Sequence, residues 1–208
     1  MDIENNTFSG ALDEELTLGK SIDAGTLWAT IKGNTLGVLG SNRSGGTVGI
    51  EMGEASGSGT ITLDIENNVI QQYQQECMFL EPAQQSTNVT ANFTIIGNTC
   101  RQPADSGTNV SAAIDIEVGA QTGDTPTANV LISGNTLTGN NPAGGIADVV
   151  LNNNFSPATT LNLSKNGSAA TTAKGVIDSL NTLDTSPFDE ADTGASTITL
   201  VTSVPPLP

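Results

Sequence analysis

The sequence predicts an all-β chain wound as a right-handed parallel β-helix, a solenoid, with one short helix and a final strand closing its C-terminal end. Three observations carry this expectation. The phrase DIENNTF at residues 2–8 returns as TIKGNTL, DIENNVI, TIIGNTC, LISGNTL and VVLNNNF, with an Asn near the middle each time. The copies follow runs of strand character such as ITLDI (61–65), NFTII (92–96), NVLI (129–132) and ADVVL (147–151), in which apolar and β-branched residues alternate. Finally, only 36% of the chain is hydrophobic and seven residues are aromatic, so the core must be thin aliphatic layers, which suits stacked coils better than a large globule.

Aligned on the repeated residue, the copies place Asn6, Asn34, Asn68, Asn98, Asn135 and Asn153 in register, with a degenerate seventh copy at Asn166. The spacings of 28, 34, 30, 37, 18 and 13 residues describe coils with loops of variable length. Within each copy a GN or NN pair supplies residues that tolerate the left-handed backbone a sharp bend needs. An apolar residue then turns inward: Phe8, Leu36, Ile70, Cys100, Leu137 or Phe155. Strand, bend and short strand make one corner of a coil. When coils stack, parallel strands lie about 4.8 Å apart and the corner Asn side chains can bond up the stack as a structural ladder. That is a sufficient cause for their repetition without any ligand.

A second strand type lies between the corners. TVGIEMG (47–53) and AAIDIEVG (112–119) share an inward Ile beside outward acids, and GTLWATI reads as a third, bringing Trp28 near the core or a loop mouth. Towards the C-terminus, TTAKGVIDSLNTL sets Val176, Ile177, Leu180 and Leu183 at helical spacing after Thr171 or Thr172 as cap. STITLVTSV alternates as a last strand, and the prolines of PPLP stop any further ladder. The expected organisation is a repeat region over 1–168, a capping segment of the same domain over 169–204 and a proline-rich tail over 205–208. The chain opens in mid-repeat, which predicts a piece of a longer protein. Right-handed winding follows from the bias of parallel crossovers.

Six Lys+Arg against 22 Asp+Glu give a formal charge of −16. A nucleic-acid partner needs many cations to neutralise phosphate, and an anionic bilayer needs the same, so neither is expected. No apolar run is long enough to span a membrane, and no signal peptide is visible. Cys77 and Cys100, 23 residues apart, are close to one coil apart. That spacing makes a disulfide between neighbouring coils geometrically possible, while the plainer reading is two buried thiols. Without His they are no zinc site.

The Asn-cornered repeats, the GIEM and DIEV strands and the closing STITLVTSVPPLP together resemble right-handed parallel β-helix proteins of the pectate-lyase-like superfamily, and most closely the β-helix segments of large exported bacterial surface proteins. The resemblance implies a structural or adhesive module, extracellular or at the cell surface, whose export signal lies outside this chain. It implies as partner an extracellular polysaccharide or a host or cell-surface ligand, with no assigned chemistry. The alternative it carries is a carbohydrate-active β-helix, either a polysaccharide lyase or a tailspike-like glycan binder.

The residues for catalysis are sparse. A lyase needs a cationic base beside Ca²⁺-binding acids. The two arginines, Arg43 in GSNRSGG and Arg101 in NTCRQPADSG, have only Asp105 nearby in sequence. A glycoside hydrolase needs two carboxylates at set separation. Glu51 and Glu54 with Asp64 and Glu66, or Asp115 with Glu117, lie on predicted strands, and stacking would bring Glu51 toward Glu117. An outward acidic stripe on an acidic protein explains the same residues. The absence of His removes imidazole-based nucleophilic schemes. The expectation is therefore no catalytic residue, no cofactor site and no metal site, with Ca²⁺ at the acidic patches LDEEL (12–16) or FDEAD (188–192) the one cofactor left open. A cleft lined by Trp28, Tyr73 or Phe79, with acids beside Arg43 or Arg101, would mark the carbohydrate-active alternative. Ice binding would need a flat threonine array on one solenoid face, and although Thr is plentiful no regular Thr-x-Thr column recurs in each coil. Eight Asn-x-Ser/Thr sequons follow from composition alone.

Overall fold

The computed structural model describes residues 1–19, 24–53, 56–82, 85–101, 112–119, 123–138, 148–152, 159–183, 189–191 and 198–203, and in these the chain is a parallel β-solenoid. A first coil holds β1 (Asp2–Glu4), β2 (Thr7–Phe8) and β3 (Glu14–Gly19), and a second β4 (Gly25–Lys32), β5 (Thr35–Leu36) and β6 (Val48–Gly53). The third has β7 (Ser56–Glu66), β8 (Val69–Gln71) and β9 (Glu76–Leu80), and the fourth β10 (Gln85–Ile96), β11 (Thr99–Arg101) and β12 (Ile114–Glu117). The fifth has β13 (Thr127–Ser133), β14 (Thr136–Thr138) and β15 (Val149–Asn152). The sixth runs through β16 (Thr160–Ser164), α1 (Ala173–Leu180), β17 (Thr182–Leu183) and β18 (Asp189–Ala191), before β19 (Ile198–Val201) ends the stack. Strands three places apart pair in parallel, giving a first sheet of seven (β1 to β19), a second of six (β2 to β17) and a third of six (β3 to β18).

The bend between first and second sheets follows from the residue before each ladder Asn. Asn5, Gly33, Asn67, Gly97 and Gly134 all have φ between 55° and 69°. Only Gly, and at modest cost Asn, visits that region routinely. The next residue is the ladder Asn. In each interior rung the backbone N–H and the side-chain Nδ2 both donate to the Oδ1 of the Asn one coil on. Asn34 reaches Asn68 at 2.9 and 3.0 Å, Asn68 reaches Asn98 at 2.9 Å twice, and Asn98 reaches Asn135 at 2.9 and 3.0 Å. The same Nδ2 groups also donate back to a strand carbonyl of the preceding coil, as Asn98 does to Ile65 at 2.8 Å. Asn6 starts the column on Asn34.

The rung after Asn135 is Asn181, which accepts from Asn135 at 3.1 and 2.9 Å. Asn153 lies outside the described residues, as does Phe155. The preceding VVLN is β15, a strand of the third sheet paired with Ile114–Glu117. Asn166 is no rung either, since its Nδ2 donates to Ser133 Oγ. At the Asn181 corner α1 replaces the strand-and-bend entry. Thr172 caps the helix by accepting from the Gly175 N–H at 3.2 Å, and Asn181 follows its last turn. Val176 and Ile177 are buried against the core, whereas Leu183 belongs to β17 and not to the helix.

The core is a set of stacked columns. Ile31, Ile65, Ile95 and Ile132 lie in register on the inner side of the first sheet, all fully buried. Leu36, Ile70, Cys100 and Leu137 do the same in the second, with Phe8 and Leu183 at the ends. Ile50, Met78, Ile114 and Val149 line the third. Like side chains repeat at one height, so methyl groups interlock up the stack without large aromatics. Cys77 of β9 and Cys100 of β11, both fully buried, are joined as a disulfide from the third coil to the fourth. Of the two readings their spacing left open, the structure takes the cross-link.

Candidate functional site

The third sheet turns a carboxylate-rich face outward. Its register puts Thr17, Glu51, Phe79, Asp115 and Val150 in one column, one residue per coil. Around Glu51, the residues Asp13, Glu14, Thr47, Val48, Gln75, Glu76 and Phe79 enclose a groove of about 250 Å³. Burial pushes the Glu51 carboxyl up to about 7, helped by a hydrogen bond with Glu14 and by the negative charges of Glu14, Asp13 and Glu81. Asp115, only 8% exposed, lies two coils from Glu51 with Phe79 between them, and its Oδ1 is buried without a hydrogen-bond partner. Burial, then the charges of Glu117, Glu76 and Glu81, raise Asp115 to about 7.

The grouping of acids foreseen from sequence is rearranged by this register. Glu51 is level with Asp115 and not with Glu117, which is level with Asn152. Asp64 and Glu66 stand on the first sheet, so they face away from Glu51. There Glu66 accepts from Lys32 at 2.7 Å, while burial and Glu66 raise Asp64 to about 6. Glu54 and Asp105 lie outside the described residues. So do Phe188 and Asp192 of the FDEAD patch. Of the LDEEL patch, Asp13 and Glu14 join the groove, but Leu12 is 95% exposed. Among the described residues no three His, Cys, Asp or Glu side chains are set to hold a metal ion.

The three aromatics do not converge on a cleft. Tyr73 is fully buried, and burial, with Asp148 and Glu76, holds its hydroxyl well above the usual range. Phe79 borders the acidic groove. Trp28 is on β4 of the first sheet, so GTLWATI is not a strand of the GIEM type, and its indole is 43% exposed. Arg101 Nε donates to Gln71 Oε1 at 3.1 Å, and Arg43 sits exposed in a loop with φ of 61°.

The outer face of the first sheet carries a single threonine column, with no Thr-x-Thr pair repeated from coil to coil. Thr26, Thr60, Thr90, Thr127 and Thr160 are consecutive partners in the register and form one unbroken column. Beside it, two residues along each strand, run Trp28, Thr62, Asn92, Asn129 and Asn162. The three Asn form a second, outer ladder, with Asn129 and Asn162 each donating at 2.9 Å to the Asn one coil back. A signal was present in the sequence: four of these Thr lie eight residues before Asn34, Asn68, Asn98 and Asn135. Aligning on the Asn and reading back across the strand would have found them.

Comparison with protein families, curated proteins and solved structures returned no match.

The buried carboxyl gives a pH prediction. Asp115 titrates at about 7 in the fold, against about 3.9 in an unfolded chain. Above pH 7 the fold bears the full cost of a buried charge. As pH falls through 7 the folded state takes the proton first, so stability rises until about pH 4, where the unfolded chain protonates too. Asp115→Asn should therefore stabilise the protein on the order of 2 kcal/mol at pH 8 and by little at pH 5. Urea melts at both pH values check this, and equal gains at both would refute the assignment.

Proposed function

We propose that this chain is a structural and adhesive β-helix module of an exported bacterial surface protein, acting outside the cell as a stiff spacer and binding surface and performing no catalysis of its own. The observation that carries this reading is the buried Cys77–Cys100 cross-link between adjacent coils, because disulfides persist in oxidising compartments outside the cytosol. The Asn ladder supports it, since side chains that tie coil to coil stiffen an extended stack against proteases. Among the described residues no helix is long and apolar enough to cross a membrane. The −16 charge suits a surface exposed to water.

The second reading, a carbohydrate-active β-helix, is favoured by the groove in which Glu51, its carboxyl pushed up to about 7 by burial, stands beside Glu14 and Phe79. A proton-bearing acid beside an ionised one is the minimum that glycosidic cleavage requires. One experiment separates the two. The oxidised protein is incubated with proteinase K, and separately with polygalacturonate, alginate and neutral β-glucans, with and without Ca²⁺. Intact protein and no reducing-end release are expected. Release of reducing ends that Glu51→Gln removes would replace the adhesive reading with the enzymatic one.

A further inference from the structure

We propose that the outer face of the first sheet is a binding surface for a neutral, extended polysaccharide, with Trp28 stacking on a sugar ring and the threonine and asparagine columns bonding to its hydroxyls. This deepens the adhesive reading and rests on it only for its place outside the cell. Three features of the face point to that chemistry. The first is hydrogen-bonding capacity left unspent. Among the described residues none of the five Thr hydroxyls in the column bonds to another protein group, although the residues are exposed or half-buried in ordered strands. The outer Asn ladder uses one Nδ2 hydrogen and one Oδ1 lone pair of Asn129 internally, leaving the others for an external partner.

The second is the absence of charge. The two columns contain no Asp, Glu, Lys or Arg. On the same sheet Lys32 is held by Glu66 at 2.7 Å. An anionic polymer finds no cation in either column, and the acids of β7, Asp64 and Glu66, stand beside the columns and not in them. A neutral polyhydroxylated ligand is what remains. The third is Trp28, the one tryptophan of the chain, left 43% exposed at the N-terminal end of the second column. An exposed indole beside polar groups is the pairing that binds a pyranose, whose C–H face stacks on the ring while its hydroxyls reach the neighbours.

Geometry sets the direction of the chain. The columns run across the strands, so equivalent hydroxyls recur at roughly 4.8 Å. Successive sugars of an extended β-linked glycan advance by little more than that. The polymer therefore lies along the solenoid axis, one sugar per coil, starting from Trp28. A flat crystalline lattice such as ice fits less well, because a protruding indole and mixed Thr and Asn break the plane.

Because Trp28 is the sole indole, its emission reports this face alone. The probes are the hexasaccharides of β-1,4-glucose, β-1,4-N-acetylglucosamine and β-1,3-glucose, with retention on the corresponding insoluble polymers as a second readout. The expected result is a saturable change in Trp28 emission with at least one hexasaccharide and retention on its polymer. Trp28→Ala should weaken retention about tenfold or more. Thr127→Val, which keeps shape and strand preference, should weaken it roughly two- to tenfold with an unchanged thermal melt. No response to any of the three sugars overturns the proposal, as does binding that both variants leave intact. Thermal hysteresis of freezing without glycan binding would also overturn it, assigning the face to ice. Protease resistance and reducing-end release, measured separately, report on the adhesive reading whatever the outcome here.

Discussion

Asn98→Ala is expected to cost about 4 kcal/mol, far more than truncating a polar residue usually does. Asn98 is fully buried in the middle of the ladder, and its side chain serves several partners at once. Its Oδ1 accepts from the backbone N–H and the Nδ2 of Asn68, both at 2.9 Å. Its Nδ2 donates to Ile65 O at 2.8 Å and to Asn135 Oδ1 at 3.0 Å. Alanine leaves the buried Asn68 N–H without its acceptor, at about 1–3 kcal/mol, and removes one bond each from Asn68 Nδ2, Ile65 O and Asn135 Oδ1, at about 1 kcal/mol apiece. Asn98→Asp discriminates between shape and bonding: it keeps the acceptor for Asn68 but loses both donations and buries a charge, so it should be no better than alanine. Asn6→Ala, at the exposed end of the column, should cost under about 1 kcal/mol. Urea denaturation of the three variants measures these differences. Equal losses at Asn6 and Asn98 would show that the ladder is not what holds the coils. Since each coil touches only its neighbours, the Asn98 variant should also melt less cooperatively.

How much of this was legible follows from the range of each signal. The corner is local: a left-handed residue, an Asn and an inward apolar residue are adjacent in sequence, so five rungs could be read directly. Asn181 escaped because a helix and not a strand leads into it, although its Asn-Thr-Leu triplet repeats that of Asn34 and Asn135. VVLNN misled for the converse reason. It has the letters of a corner, but its alternation belongs to a third-sheet strand. The faces outside the corners depend on register across loops of unequal length. Two residues in different coils become neighbours only once every intervening loop is counted correctly. Hence the level of Glu51 with Asp115, the burial of Asp115 and the separation of Asp64 from Glu51 were not readable from local pattern. The threonine column was readable, but only by counting from the Asn and not by searching each strand for Thr-x-Thr.

Removing the disulfide is the second large effect. Cys77→Ala with Cys100→Ala should lower stability by about 3 kcal/mol, the chain-entropy value for a closed loop of this length. The bond encloses a separation of 23 residues and ties the third sheet of one coil to the second sheet of the next. It thus restrains the unfolded chain across the same coil boundary that the Asn68–Asn98 rung holds in the folded one. Alanine is the right replacement because both sulfur atoms are in the apolar core, where a serine hydroxyl would add its own burial cost. For a domain of this size the loss corresponds to a drop of about 6–12 °C in melting temperature. Wild-type protein melted in strong reductant should fall by a similar amount. Below that temperature a mild thiol should leave the bond intact, because both sulfurs are fully buried and attack must wait for the coils to open. The reduction rate then measures opening between the third and fourth coils. Asn98→Ala should accelerate it, since the rung and the disulfide guard one boundary. If reductant leaves the melt unchanged, or the thiol cleaves the bond at the same rate in wild type and Asn98→Ala, the two devices do not share that boundary and the reasoning for an oxidised, cross-linked stack fails.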